Sequence, residues 1–141
     1  VQRCALPIYA LTDVTGFGLL GRLWEIANGS GLGAELYYDR LILLPGVGEY
    51  IQQRIFPDST TRNWSRYQAE IQFEKGVPVA EAFTLLPDPQ TNGGLLIAVH
   101  NEEKEKFVHL LNAEGLGDFA EPIGRLIPVG EKRIVIKPSS L

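Results

Sequence analysis

Two short stretches of this 141-residue chain concentrate residue types suited to binding a phosphate and a metal ion. The first, 12-TDVTGFG-18, sets Asp13 among Thr12, Thr15, Gly16 and Gly18, just before an apolar helical pattern. Main-chain N–H groups at a helix N-terminus favour anions, and glycine lets an anion come close to the backbone. Mg²⁺ is commonly held by one or two carboxylates together with substrate phosphates. Asp13 could therefore hold a metal while Gly16 and Gly18 admit phosphate. The plainer alternative is an Asp or Thr that caps the helix beside a tight turn. Short glycine motifs are weak signals alone, so both readings stand at this point.

The second stretch, 88-DPQTNGG-94, follows the same logic with Asp88, Gln90, Thr91, Gly93 and Gly94 ahead of an apolar strand. An ordinary loop before a core strand is the competing reading, and two such loops in one small domain favour a shared polar site. A third segment, 58-DSTTRN-63, offers Thr60, Arg62 and Asn63. Arg62 could clamp a phosphate bidentately, although a lone loop arginine is usually solvated. His100 and His109 lack partners for nucleophilic chemistry. The run 102-EEKEK-106 reads as a solvated helix face, and Trp24 and Trp64 as packing residues.

These groups need elements to position them. Leu19, Leu20, Leu23, Ile26 and Ala27 recur at helical spacing, and Asn28-Gly29 supplies a stop, so a helix is expected over 19–28. Strands are expected at 34–39, at 69–74 and, fully buried, at 95–100. Shorter helices are expected at 46–55 and at 78–86, the latter with Pro78 in its first turn. Residues 57–63 and 87–94 read as loops. Asn101 is expected to cap a helix over 102–115, with Phe107, Leu110 and Leu111 facing inward and Gly115 ending it. The tail reads as two strands, 119–129 and 132–137, forming a terminal hairpin around Gly130. This mixture predicts an α+β or layered α/β domain with a mixed sheet.

Composition narrows the function classes. Hydrophobic residues make up 45% and charged residues 21%, enough for one globular domain with its own core. The net charge is −4, so no basic field draws nucleic acid. No apolar run reaches the roughly 18–20 residues of a membrane span. The single cysteine, Cys4, cannot form an internal disulfide or a zinc site and fits a reducing cytoplasmic setting. Two readings stand for residues 1–9. Cys4-Ala5-Leu6-Pro7-Ile8 is what the end of a widely used sequencing adapter encodes, which makes the segment non-native or linker; the alternative is a genuine strand entering the domain. The domain proper is placed at 10–141.

TDVTGFGLLG followed by DPQTNGGLLIAV resembles the C-terminal domain of the selenophosphate synthetase (selenide, water dikinase) family, where TDVTGFGLLGH and DPQTSGGLL are typical. The loop PDSTTRN is similar to the family's Gly-Gly-Thr-x-Arg-Asn loop, and the resemblance runs from about Ala10 to Lys137. It implies the layered α/β/α C-terminal fold of the aminoimidazole ribonucleotide synthetase-like superfamily. It also implies an Mg²⁺-dependent reaction of ATP, selenide and water that yields selenophosphate, AMP and phosphate, the product serving selenocysteine synthesis. Asp13 matches the acid that helps hold Mg²⁺ on the ATP phosphates. Thr12, Thr15, Gly16 and Gly18 match the rest of that motif; Thr60, Arg62 and Asn63 match the second loop; Asp88, Gln90, Thr91, Gly93 and Gly94 match the third. All three loops are expected to face an interdomain cleft.

The departures are Arg22 for the usual His, Asn92 for the usual Ser, and Asp58-Ser59 where two glycines are common. The family's N-terminal domain, which carries the nucleophile, its lysine, most of the nucleotide site and the homodimer contact, has no counterpart in this stretch. No catalytic residue is therefore assigned here, and the fragment alone is expected to be inactive. The alternatives are a stand-alone binding or regulatory domain of the same fold, or another ATP-using member of the superfamily.

Overall fold

The computed structural model describes residues 8–139. The first strand, β1 (Ile8–Asp13), pairs antiparallel with β4 (Leu95–Val99), so that Leu11 stands opposite Ile97 and Asp13 opposite Leu95. Ile8 and Tyr9 thus belong to a strand, while Cys4 and the rest of residues 1–7 lie outside the described residues. The other sheet has the order β3-β6-β2-β5, built from β2 (Leu32–Tyr37), β3 (Ile71–Phe73), β5 (Gly124–Pro128) and β6 (Ile134–Lys137). β2 pairs antiparallel with β5 and parallel with β6, and β3 pairs parallel with β6. The sheet is mixed and the fold is α+β, as expected.

The tail differs from the expected hairpin, because β2 lies between β5 and β6. Residues 129–133 cross the start of β2 and are held there by Arg133: its Nη1 donates to the Leu32 carbonyl (2.7 Å) and its carbonyl accepts from the Ala34 N–H (2.8 Å). Alternation along a strand fixes which face is buried, but it does not name the neighbouring strand.

Helix α1 (Gly18–Gly29) lays Leu20, Leu23 and Ala27 against the sheet, where they meet Ala34, Leu36, Ile134 and Ile136 in the core. It runs through Gly29, and its closing glycine stands two residues later than the expected Asn28-Gly29 signal, with the Ser30 N–H returning to the Ile26 carbonyl and Gly31 at φ +68°. Helix α2 (Val47–Gln52) is short, and α4 (Val79–Leu85) follows Pro78, which sits just outside the first turn.

The largest departure is α3 (Asp58–Tyr67), in place of the loop expected at 57–63. Pro57 enters it in an extended conformation and Asp58 occupies its acidic first turn. Thr60, Asn63 and Tyr67 recur at helical spacing and form its buried face. Two of its three residues are polar, Thr60 meeting the Asp88 carboxylate and Asn63 two main-chain carbonyls, so a search for apolar periodicity passes over it. Trp64 stacks against Phe73 (5.9 Å) and meets Phe83 edge-on (5.2 Å), and Trp24 lies 5.5 Å from Tyr67. Both tryptophans are packing residues.

Two further expectations are corrected. β4 is not fully buried, since it belongs to a two-stranded ribbon with one open face, and Leu95 is exposed. Asn101 opens a 3-10 turn rather than capping a helix; α5 (Lys104–Ala113) begins three residues later with no side-chain cap, and Leu110 is exposed. This helix packs mainly on the 3-10 turns that flank it, which give its apolar residues little to bury against.

Candidate functional site

The three motif segments, distant in sequence, meet in space. The Val14 N–H donates to the Gly94 carbonyl (2.9 Å), and the Gly93 N–H donates to the Val14 carbonyl (3.1 Å). One residue on, the Gln90 N–H donates to the Thr15 carbonyl (3.1 Å). These bonds extend the β1–β4 pairing into the two loops and lock 13–16 against 88–94. Val14, which sequence reading passed over, is buried at the centre of this exchange. Its signal was its position, an apolar residue between Asp13 and Thr15.

α3 closes the junction from the other side. Asn63 Nδ2 donates to the Gly16 carbonyl (2.8 Å) and to the Pro87 carbonyl (2.9 Å). The Thr60 hydroxyl, fully buried, donates to Asp88 Oδ1 (3.3 Å). Pro87 is another residue that sequence reading missed; it is enclosed in the core, with its carbonyl turned to α3. Arg62 is not brought in: it is exposed, and helical spacing turns it away from the face that Thr60 and Asn63 share. Thr91 and Asn92 are exposed at the tip of the third loop.

The capping reading of the first loop does not hold. Phe17 takes the N-cap position of α1 with no side-chain cap, and the Gly18 N–H is met by the Thr15 main-chain carbonyl (2.9 Å). Neither Asp13 nor Thr15 is used as a cap. Thr15 instead accepts a hydrogen bond from Arg22 Nη2 (2.8 Å), and Arg22 is also paired with Glu25 (2.7 Å). Arg22, at the position where His is usual in the resembled family, is thus tied to the first loop. Thr12 is half-buried. Asp13 is exposed at the end of β1.

The glycines of the loops divide by what the fold requires of them. A Cβ on Gly18 would stand 2.7 Å from the main chain of Leu86, Pro87 and Asp88, and its φ is +67°. A Cβ on Gly93 would stand 2.6 Å from the Val14 carbonyl. Gly16 differs: nothing lies within 4 Å of a Cβ there and its φ is not positive. The domain's own packing gives no reason for glycine at 16.

Asp88 also borders an apolar pocket of about 150 Å³ walled by Tyr50, Ile51, Phe56 and Leu85. Burial pushes its carboxyl above the usual range, and the hydrogen bond from Thr60 opposes that rise in part. Among the described residues no group of three or more His, Cys, Asp or Glu side chains is arranged to hold a metal ion. A cation held by the exposed Asp13 carboxylate would need its other ligands from phosphate, water or another domain.

A mixed-sheet α+β domain whose glycine-rich loops converge beside an exposed acid defines the class. Residues 1–137 match the family described as AIR synthase related protein, C-terminal domain, and the chain belongs to that family. Among curated proteins it is similar to the selenide, water dikinase of Burkholderia ambifaria, 42% identical over 128 residues that cover 89% of this chain and 35% of that protein. It is likewise similar to those of Haemophilus influenzae (40% over 130 residues, 92% and 36%) and Bordetella bronchiseptica (45% over 121 residues, 85% and 33%). The chain spans about a third of the length of the curated relatives it matches. The resemblance seen in the motifs is thus borne out across most of the chain. No helix among the described residues is long and apolar enough to cross a membrane.

Proposed function

We propose that this chain is the C-terminal domain of a selenophosphate synthetase and that its first loop lines the ATP and Mg²⁺ site of the whole enzyme. The reaction converts ATP, selenide and water to selenophosphate, AMP and phosphate. The observation that carries this reading is the convergence of two loops and the buried face of α3 beside a rim where the Asp13 carboxylate is exposed and Gly16 leaves open space. Asp13 is the residue that would hold Mg²⁺, which when bound neutralises charge on the phosphates. Thr12, Thr15, Gly16 and Gly18 shape the loop around it. Thr60, Asn63, Asp88, Gln90, Thr91, Gly93 and Gly94 complete the nucleotide-facing wall or support it, whereas Arg62, on another face of α3, is left out of it.

The nucleophile, its lysine, the remaining metal carboxylates and the homodimer contact belong to the N-terminal domain of a cytoplasmic parent. One exposed carboxylate does not organise a nucleoside triphosphate, so the isolated chain is inactive in this reading. The test is ³¹P NMR of ATP, selenide and Mg²⁺ with the full-length protein that carries this chain. Selenophosphate, AMP and phosphate should form in equal amounts, and the isolated chain should form none. A full-length protein that makes no selenophosphate overturns the reading, and turnover by the isolated chain overturns the claim of inactivity.

A further inference from the structure

We infer that Asn63 is a positioning residue: it bolts the Asp13 loop to the third loop, and so sets where the Asp13 carboxylate stands. This rests on the reading of Asp13 as a metal ligand. The side-chain amide reaches two main-chain carbonyls that belong to different loops, Gly16 at 2.8 Å and Pro87 at 2.9 Å. Asn63 is 7% exposed, and both hydrogens of its amide are engaged by these acceptors. A side chain so placed does not reach out to a ligand.

The bolt adds a third, distant segment to a junction that main-chain bonds begin. Gly16 is 47 residues from Asn63, and Pro87 is 24 residues on. The loop 14–16 has no regular element of its own; its main chain is held by Gln90, Gly93 and Gly94 on one side and by Asn63 on the other. Asp13 is the last residue of β1, paired with Leu95, so the strand holds it on one side and the loop anchored at Gly16 holds it on the other; loosening Gly16 frees the end of the strand at Asp13. Thr60, one turn earlier on α3, reinforces the bolt through Asp88. No other residue type matches Asn here in both size and donors: Asp keeps the shape but, ionised, turns an oxygen toward two carbonyls, and Leu keeps the volume but leaves both carbonyls unmet.

The experiment compares wild type and Asn63→Asp in the full-length protein by hydrogen exchange and by the Mg²⁺ dependence of AMP formation. In the variant the amides of Gln90 and Gly93 should lose protection by about tenfold or more while the core amides of α1 keep theirs. The Mg²⁺ concentration for half-maximal rate should rise about tenfold, with a smaller fall in kcat at saturating Mg²⁺. Unchanged exchange at Gln90 and Gly93 overturns the inference whether or not the protein turns over. Faster exchange with an unaltered Mg²⁺ dependence overturns it too, because Asn63 would then support the fold alone. A wild type that forms no AMP defeats the functional reading, and the exchange comparison still decides the bolt. Should the variant not fold, NMR of the wild type replaces it: the side-chain amide hydrogens of Asn63 should exchange far more slowly than those of the exposed Asn92, and equal rates would refute the bolt.

Discussion

Gly18 lies against Pro87 so closely that a Cβ built on Gly18 would stand 2.7 Å from the Pro87 carbonyl carbon. The first turn of α1 and the entry to the third loop are therefore in main-chain contact, and the Leu20 N–H reinforces this by donating to the Leu86 carbonyl at 2.9 Å. Gly18→Ala must both clash with backbone and hold alanine at φ +67°, and is expected to cost on the order of 2–4 kcal/mol. Gly16→Ala meets no such obstacle and should change stability by less than about 0.5 kcal/mol. Thermal or urea unfolding of the two variants checks the contrast. In the full-length enzyme Gly16→Ala should be as folded as wild type but impaired in ATP use. A Gly16→Ala enzyme with normal ATP kinetics would mean that the open space at Gly16 serves nothing.

Asp88 gives the junction a signature in acid. Burial raises its pKa above the ordinary 3.8, with Thr60 opposing. In the window between 3.8 and that raised value the folded state holds more protons than the unfolded state, so this group's contribution makes stability fall as pH rises. Above the window the ionised carboxylate carries a constant burial penalty. Asp88→Asn keeps an oxygen to accept from Thr60 and removes the penalty. The variant should match or exceed wild type in melting temperature at pH 7, and its advantage should shrink on acidification toward pH 3.8 and below. A variant that is less stable at pH 7 would show that the ionised carboxylate is stabilising.

Glu35 behaves in the opposite sense. Its carboxylate accepts from Arg125 Nε (2.6 Å) and Lys137 Nζ (3.3 Å), so a residue of β2 is tied to both neighbouring strands. The hydrogen bond from Arg125 holds its pKa below the usual 4.5, burial works against that, and Lys137 adds to the lowering. This contribution is present above pH 4.5 and is lost as pH falls through the depressed value. Arg125 is largely exposed, so Glu35→Gln should cost less than about 1 kcal/mol at pH 7. The difference from wild type should disappear in acid titrations of stability.

The aromatic and hydroxyl packing around α4 supplies another check. The Tyr38 hydroxyl donates to Glu81 Oε1 at 2.7 Å, bridging the 3-10 turn after β2 to α4, and burial raises its pKa well above the usual phenol value. Tyr38→Phe deletes one charge-assisted hydrogen bond and is expected to lose about 1–2 kcal/mol in urea unfolding. No loss would show that water replaces the contact.

The sequence reading found the elements whose buried faces are apolar. The 3-and-4 spacing of Leu20, Leu23 and Ala27 placed α1, and the aromatic run 34–39 placed β2 to within two residues. It failed where the buried face is polar. Thr60 and Asn63 looked like loop residues because the partners that they satisfy, Gly16, Pro87 and Asp88, are remote in sequence. It failed again at β5 and β6, because strand patterns carry no information on the strand between them. The candidate site was legible as three motifs. A shared site was expected of them, but the bonds that build it were not legible, since Val14, Gln90, Gly93 and Gly94 make them with main-chain atoms that every residue possesses.

The central claim, that Asp13 holds the metal on the nucleotide, is tested most directly by Asp13→Asn in the full-length protein, with AMP formation measured as Mg²⁺ is varied. Asp13 is exposed and caps nothing, so the substitution should leave the melting temperature within about 2 °C of wild type. The Mg²⁺ concentration for half-maximal rate should rise by about tenfold or more, corresponding to a loss of about 1.4 kcal/mol or greater. A folded Asp13→Asn enzyme with wild-type turnover at limiting Mg²⁺ would contradict the account.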